Sequence, residues 1–213
     1  MVSVTFGEHS GPDVPYTLLL HGVSEEMFDE LADAETRAEL IDGVMFVRSP
    51  ASLEHDDVAG FLRALLRCLA SARGAGDVLG PDSLVRLRPG RRVAPDIFFL
   101  RAGRLPVPRP RLFDGTPDWV IEVLSPSNGP HDLGEKRAAY REAGVREIWM
   151  IDPRSRTVAI DRLAGVGYAE IIVSSGRIFS SVLEGFFVEA EWLWQPQLPD
   201  LMTCLQLLLG PRS

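Results

Sequence analysis

The stretch WVIEVLSPS, residues 119–127, is the most informative segment for the architecture of this chain. It opens with six residues that are apolar except for Glu122, which is typical of a strand buried on both faces. Side chains alternate along a strand, so Glu122 shares a face with Val120 and Leu124. An isolated carboxylate among apolar side chains is costly enough that it must be paired, protonated or bound to a metal ion. From this residue alone, a buried ion pair and a functional site are equally good explanations.

The residues after this strand predict a crossover. HDLGEKRAAYREAG, residues 131–144, has helical character and ends at Gly144, and REIWMID, residues 146–152, has the composition of another strand. A strand, a helix and a strand in this order predict parallel neighbours in one sheet, with ligands at the carboxyl ends of the strands. The sequence therefore predicts an α/β sandwich with a mixed central sheet.

The other elements fit the same class. Ser24 precedes a short acidic helix, and Asp42 with Gly43 forms a favoured hairpin turn. Residues 52–74 give the clearest helix, with Ser52 as N-cap and one apolar face. Further strands are predicted in LVRLR (84–88), APDIFFL (94–100), TVAIDRL (157–163) and YAEIIVS (168–174), and short packing helices in residues 187–210.

The composition predicts one well-packed domain. Of 213 residues, 46% are hydrophobic and 24% are charged. We predict an N-terminal arm over residues 1–20 and a single domain over residues 21–213. There is no basic segment followed by an apolar core near the start and no run of roughly 20 apolar residues, so the predicted location is cytoplasmic. Cys68 and Cys204 lie in leucine-rich helical segments and are predicted to be reduced core thiols.

A second carboxylate breaks the pattern of a predicted strand. In VAPDIFFL, residues 93–100, Asp96 follows Pro95 and precedes four apolar residues. Aspartate is a poor strand former, so a turn or a cap is its usual explanation. Two carboxylates on two strands of one sheet can instead share a cation, and hard divalent ions such as Mg²⁺ bind carboxylate oxygens together with waters.

Lys136 is the third exception. The chain has 22 basic residues, and Lys136 is the only lysine among them. An ammonium is a compact charge whose pKa falls on burial, whereas arginine stays protonated. Helical spacing puts Lys136 on the inner stripe of its helix, in line with Leu133, Tyr140 and Ala143. A lysine that survives by chance on a solvated helix face is the plainer alternative.

Asp96, Glu122 and Lys136 together describe a hydrolytic site. A divalent metal ion held by Asp96 and Glu122 would polarise a phosphodiester and lower the pKa of a bound water. Lys136 would orient that water or neutralise negative charge that develops in the transition state. The predicted cofactor is Mg²⁺ or Mn²⁺.

The charge distribution suggests a polyanionic partner. The net charge is −8, which alone argues against one. Between Arg86 and Arg111, however, there are eight arginines and a single acidic residue. Charges beyond about 10 Å are screened, so local sign counts more than the total. Solvated loop arginines are the plainer explanation. The candidate nucleic-acid contacts are Arg86, Arg88, Arg91 and Arg92.

These residues resemble a known nuclease superfamily. PD at 95–96, EVL at 122–124 and the following helix are similar to the PD-(D/E)XK nucleases. The longer string of ELIDG, SP…EH, APDIFFL, PDWVIEVLSPS and GEKRAAYREAGVREIWMIDP resembles the Uma family of restriction endonucleases within it, over roughly residues 37–163.

The resemblance implies a restriction-endonuclease-like core in which a mixed central sheet is flanked by helices. It also implies Mg²⁺-dependent hydrolysis of phosphodiester bonds in DNA, with a metal site at Asp96 and Glu122. Leu124 stands where the superfamily usually has its lysine. In the Uma-like pattern that lysine has moved to the next helix, and Lys136 matches the position.

Two further residues match the pattern and join the predicted catalytic set. Glu39 in ELIDG is a candidate additional acidic member, and a solvated strand residue beside a turn is an equally good explanation. His55, in the first turn of the long helix, is a candidate for the metal cleft, against the commoner outcome of a helix-cap histidine. Cutting both DNA strands would need two sites, so a homodimer is a further prediction.

The leading prediction is a Mg²⁺-dependent DNA endonuclease, and two alternatives stay open. A catalytically silent nuclease-fold module that binds nucleic acid or a protein partner fits the negative net charge and the lack of a recognisable DNA-reading appendage. A purely structural site would have Asp96 and Glu122 satisfied by arginines.

Overall fold

The structure is a computed structural model that describes residues 3–6, 17–32, 38–48, 52–125 and 130–210, without the side chains of residues 3–6, 48 and 130–133. The strands are β1 Ser3–Phe6, β2 Thr17–His21, β3 Ala38–Ile41, β4 Val44–Arg48, β5 Gly76–Leu79, β6 Leu84–Arg88, β7 Arg91–Val93, β8 Ile97–Arg101, β9 Leu112–Asp114, β10 Trp119–Val123, β11 Glu147–Asp152, β12 Thr157–Ala164, β13 Gly167–Val173, β14 Arg177–Phe179 and β15 Phe187–Glu189. The helices are α1 Glu25–Leu31, α2 Leu53–Arg73, α3 Pro130–Glu142 and α4 Leu201–Leu209, with a 3-10 helix at Ala190–Trp194.

Two mixed sheets organise the described chain, and the predicted α/β class is confirmed. The first has the order β1-β2-β4-β3-β7-β6-β9 and the second β13-β12-β11-β10-β8-β5. Each contains one parallel pair, β6 with β9 and β10 with β11, among antiparallel neighbours. The chain alternates between the sheets: it passes from the first into the second before β5, β8 and β10, and the passage from β7 to β8 contains Asp96. β14 and β15 form a separate small hairpin.

The predicted crossover around α3 is confirmed. β10 and β11 are parallel, with Glu122 opposite Met150, and α3 connects them. β10 is buried along its whole length. Trp119 and Ile121 pack in the core cluster that contains α2, whereas Val120 packs with Tyr140 of α3 on the other side. The alternation predicted for this strand is therefore present, and it directs Glu122 toward α3.

α2 forms as its sequence predicts. The Ser52 hydroxyl accepts the backbone N–H of His55, and Gly74 ends the helix in the left-handed region at φ 59°. The apolar face is buried in the core at Val58, Phe61, Leu62, Leu65, Leu66 and Leu69. Burying a side chain of this kind contributes about 1.5–3 kcal/mol, so this face fixes α2 on the second sheet.

Three outcomes concern regions away from the site. Cys204 is buried but Cys68 is exposed, so the prediction of two core thiols is wrong for Cys68, which lies on the outer face of α2. In the predicted arm, β1 pairs with β2 and β2 with β4, while residues 7–16 lie outside the described residues. The division into arm and domain stays a prediction. None of the helices in the described ranges is long and apolar enough to cross a membrane.

Candidate active site

Glu122 lies inside the second sheet, and only 2% of the residue is exposed. Its Oε1 atom lies 2.9 Å from Lys136 Nζ and accepts a 2.6 Å hydrogen bond from the Tyr140 hydroxyl. Burial raises the pKa of Glu122 to about 7; the Lys136 ammonium opposes this shift, and the charges of Asp96 and Glu39 add to it. The carboxyl group that interrupts the strand is thus paired, but with too little positive charge to stay easily ionised.

Lys136 is the centre of the cluster. One helical turn separates it from Tyr140, so both side chains leave α3 on the same face. Its Nζ lies 2.8 Å from Glu39 Oε1 and donates to the Ala94 carbonyl at 3.1 Å, in addition to its contact with Glu122. The residue is 1% exposed. The inner stripe predicted for α3 is confirmed at Lys136 and Tyr140, whereas the Leu133 side chain lies outside the described residues.

Glu39 reaches this cluster from β3, a strand of the first sheet. The residue is 3% exposed, and its Oε1 accepts the backbone N–H of Ala94 at 2.7 Å besides contacting Lys136. The sequence allowed a solvated strand residue here. The structure instead buries Glu39 beside Lys136, so the ammonium links a carboxylate of one sheet to a carboxylate of the other.

Asp96 stands where the chain crosses between the sheets. The strand predicted over residues 94–100 begins only at Ile97, so the placement of Asp96 within it is wrong. Pro95 has no N–H to donate to a ladder and aspartate disfavours strands, which explains the bend. Asp96 Oδ2 accepts the backbone N–H of Val123 at 2.8 Å. This bond ties Asp96 to β10, one residue beyond Glu122.

His55 packs against Asp96 from the first turn of α2, with Nε2 3.0 Å from Asp96 Oδ2. Burial lowers the pKa of His55, but the hydrogen bond with Asp96 and its charge outweigh that effect and raise it. Burial likewise raises the pKa of Asp96, and the hydrogen bond and charge of His55 bring it below its ordinary value, helped by Lys136. His55 Nδ1 is buried and has no hydrogen-bond partner within the described ranges.

The structure brings together all five predicted catalytic residues, which are Glu39, His55, Asp96, Glu122 and Lys136. They come from five different parts of the chain and from both sheets. No arginine contacts Asp96 or Glu122 in the part of the chain that the structure describes, so the arginine-satisfied site considered from sequence is not seen there.

The donor atoms suit a hard cation. Across the described ranges, no group of three or more His, Cys, Asp or Glu side chains is arranged to hold a metal ion. Mg²⁺, however, keeps several waters and is commonly bound through one or two carboxylates. The hydrogen bonds and ion pairs of the cluster use Oδ2 of Asp96 and Oε1 of Glu122, and the cluster holds three carboxylates against one ammonium and one histidine. Oxygen donors with surplus negative charge fit Mg²⁺ or Mn²⁺.

The four candidate nucleic-acid arginines are paired with acids of the same chain. The pairs are Arg86 with Glu25 and Asp114, Arg88 with Asp42, Arg91 with Asp42 and Glu142, and Arg92 with Glu25 and Asp29. Side-chain exposure falls from 49% at Arg88 and 33% at Arg86 to 11% at Arg91 and 8% at Arg92. Their contact with nucleic acid stays a prediction, and Arg88 and Arg86 are the two that solvent reaches best.

Sequence reasoning missed two features of the site. Tyr140 was assigned only to the inner stripe of α3, although its position four residues after Lys136 places its hydroxyl in the same cluster. Gly80 has φ 110°, and a Cβ atom there would lie 2.3 Å from the Asp96 carbonyl oxygen. The sequence analysis did not single out Gly80, because its close approach to Asp96 depends on residues distant in the chain.

Comparisons with known proteins agree with this architecture. A family model, Uma2, described as "Putative restriction endonuclease", matches residues 25–191, which is more than half of the chain. A solved structure from Anabaena variabilis, described as "a putative nuclease belonging to DUF820", has a TM-score of 0.72 at 17% sequence identity, covering 81% of this chain and 97% of the other. At that identity the likeness shows the fold alone. A search of curated proteins gives no match.

Proposed function

Because the chain belongs to the Uma2 family, we propose that it is a Mg²⁺-dependent endonuclease that hydrolyses phosphodiester bonds in DNA. The family and the nuclease fold of the structural neighbour support the class of nuclease. The metal, the residues and the substrate are our proposal. The observation that carries it is the buried cluster in which Lys136 contacts Glu39 and Glu122, while Asp96 pairs with His55 and accepts the N–H of Val123, the residue after Glu122.

The charge imbalance of this cluster is the main argument for a site. Buried ionic groups cost several kcal/mol each unless they are well compensated, so a fold gains little stability from an uncompensated carboxylate. Three carboxylates meet one ammonium and one histidine here, and burial raises the pKa of Glu122 to about 7, with the charges of Asp96 and Glu39 adding to the shift. Perturbed carboxyl groups of this kind concentrate at functional sites. A divalent cation would balance the surplus.

Asp96 and Glu122 are the residues that we assign to the metal ion. Asp96 Oδ2 and Glu122 Oε1 are engaged with protein donors, so Asp96 Oδ1 and Glu122 Oε2 are the oxygens we assign as ligands. When bound, Mg²⁺ would polarise the phosphodiester and lower the pKa of a water.

The remaining residues hold the two ligands and balance charge. His55 fixes Asp96 through Oδ2, and Glu39 keeps Lys136 beside Glu122. Lys136 already has three acceptors, so orienting a water would require it to release one of them. We therefore assign Lys136 to neutralising negative charge, which also stabilises a transition state that gains charge.

DNA is the proposed partner, with phosphates approaching Arg88 and Arg86. A DNA contact at these arginines would compete with their own acidic partners, so each is expected to contribute weakly. A homodimer would supply a second site for cutting both strands. The dimer and the cytoplasmic location remain predictions.

The test is metal-dependent nicking of supercoiled plasmid by wild type and Asp96→Asn, with Asp77→Asn as the matched control. Asp77 is an aspartate that pairs with Arg109 at the surface, away from the cluster. We expect nicking with Mg²⁺ or Mn²⁺ that EDTA abolishes, that Asp96→Asn loses and that Asp77→Asn keeps.

One outcome would overturn the proposal. Wild type that leaves plasmid, linear, single-stranded and structured DNA uncut with either metal ion is not the proposed nuclease. Salt-dependent DNA binding in that protein, without a metal site in calorimetry, would instead indicate the catalytically silent module.

A further inference from the structure

We propose that Tyr140 is a positioning residue that holds Glu122 through Oε1 and thereby fixes which carboxylate oxygen faces the metal ion. This inference rests on the proposed function and adds a residue that neither the motif nor the family description assigns. It concerns how the proposed ligand is oriented, so Tyr140 itself touches neither metal nor DNA.

The contact is specific and buried. The Tyr140 hydroxyl donates to Glu122 Oε1 at 2.6 Å, and the whole residue is 0% exposed. Lys136 Nζ approaches the same oxygen at 2.9 Å. Two donors on one oxygen restrain rotation of the carboxylate, which leaves Oε2 as the oxygen directed away from them.

The other proposed ligand is held in the same way. Asp96 Oδ2 meets both His55 Nε2 at 3.0 Å and the Val123 N–H at 2.8 Å. Each of the two carboxylates thus has one oxygen bound to two protein groups. Outer hydrogen bonds of this kind orient metal ligands, and their loss typically costs 10–100-fold in metal affinity or activity.

A phenol is well suited to this place. Burial, together with the charges of Glu122 and Glu39, raises the pKa of Tyr140 well above its ordinary value, so the hydroxyl stays a donor. Its ring packs with Val120 and Ile148, which fixes the side chain before any ligand arrives. A neutral donor also restrains Glu122 without adding a second positive charge that would compete with a cation.

The experiment is calorimetric titration of Mg²⁺ and Mn²⁺ into Tyr140→Phe without DNA, followed by cleavage at a range of metal concentrations. The variant keeps the buried ring and removes one hydroxyl. We expect metal affinity to fall roughly 10–100-fold, while cleavage at saturating metal stays within a few-fold of wild type. That separation of binding from maximal rate is not expected from a hydroxyl that only stabilises the fold.

Tyr168→Phe is the matched control. Its hydroxyl is likewise hydrogen-bonded, but it is only partly buried and donates to the backbone carbonyls of Val145 and Arg141 at 2.7 and 3.2 Å. We expect this variant to bind metal like wild type. Equal weakening in both variants would overturn the positioning role, because the effect would then follow the loss of any tyrosine hydroxyl near α3.

A second measurement covers a Tyr140→Phe protein that does not fold. With 3-fluorotyrosine incorporated into otherwise wild-type protein, the ¹⁹F resonance of residue 140 is expected to shift when Mg²⁺ is added; Tyr16→Phe and Tyr168→Phe identify the resonances of the other two tyrosines. An unchanged resonance while calorimetry registers binding overturns the inference.

The two proposals fail in different ways. If wild type binds metal and Tyr140→Phe binds it equally well, only the positioning role is lost. If wild type neither binds metal nor cuts DNA, the proposed function fails and takes this inference with it.

Discussion

Two neighbouring pairs of side chains on α3 meet two different carboxylate networks. Lys136 and Tyr140 face Glu122, and the next residues along, Arg137 and Arg141, face Asp161 of β12. Both pairs have the spacing of one helical turn, and both contacted carboxylates lie on strands of the second sheet. The helix, the spacing and the sheet are the same, so the difference between the networks must lie in their charge and burial.

The arginine network is balanced. Arg137 and Arg141 each donate twice to Asp161, and both also contact Glu170. Two cations therefore meet two acids, and the arginine side chains remain 24% and 34% exposed. Burial raises the pKa of Asp161, but the hydrogen bonds from both arginines outweigh it and lower the pKa below its ordinary value.

The lysine network has more carboxylates than cations and is buried from solvent. We use this contrast to distinguish a functional site from a structural ion-pair network. In the arginine network the carboxylate is more easily ionised than usual, whereas Glu122 is less easily ionised. Surplus buried charge of one sign destabilises a fold, so a purely structural network is not expected to contain it. Changing the same kind of residue in each network tests whether charge balance and burial distinguish the two.

Neutralising one carboxylate in each network is expected to give the largest difference in cleavage activity between two variants. Glu122→Gln removes a proposed metal ligand and is expected to lower the rate of metal-dependent cleavage roughly 10³-fold, as loss of a key electrostatic group at an active site does. Asp161→Asn is expected to keep the rate of the folded protein within a few-fold of wild type. Plasmid nicking at equal concentrations of folded protein measures both. Similar losses of nicking rate in the two variants would contradict the distinction between a structural network and a functional site.

Removing one cation from each network is expected to give the next largest difference, in the free energy of unfolding. Lys136→Met leaves buried carboxylates without their ammonium and is expected to cost about 3–5 kcal/mol in the free energy of unfolding. In Arg137→Met, Arg141 still pairs with Asp161, and the Arg137 side chain is partly exposed in wild type. The free energy of unfolding is therefore expected to fall by about 1 kcal/mol or less. Urea unfolding without divalent metal measures both values, and a larger loss for Arg137→Met would reverse the assignment.

The two networks should also respond to pH with opposite signs. The folded pKa of Glu122 is raised from 4.5 to about 7, so its contribution to stability is complete below the unfolded pKa and is lost as pH rises through the folded one. The folded pKa of Asp161 is lowered from 3.8, so its contribution is present above that value and is lost as pH falls through the folded pKa.

Urea unfolding across pH, without divalent metal, measures the difference between each variant and wild type. Glu122→Gln should gain stability relative to wild type between about pH 4.5 and 7, by up to about 1.4 kcal/mol per pH unit. Asp161→Asn should be less stable than wild type at neutral pH and approach it in acid. Parallel curves for Glu122→Gln and wild type would contradict the raised pKa.

Local patterns in the sequence predicted much of the fold and most of the candidate site. Alternation in residues 119–124, the caps of α2 and the single lysine are each read over a few residues, and the structure has all of them in place. The features that escaped depend on distant partners. Arginine counts suggested a basic strip, but the acids that pair with it come from β-turns and helices remote in sequence, such as Asp42 and Asp29. The hydrogen bonds from Tyr140 to Glu122 and from the Val123 N–H to Asp96 likewise follow only from tertiary packing.

The bend at Asp96 joins two sheets, and this has a consequence for how the protein is made. Glu39 belongs to one sheet, Glu122 to the other, and Lys136 arrives only with α3. A chain still on the ribosome has its first carboxylate long before the residues that complete the cluster. The proposed site is therefore incomplete until residue 136 has been synthesised, and a shorter nascent chain has only part of the cluster.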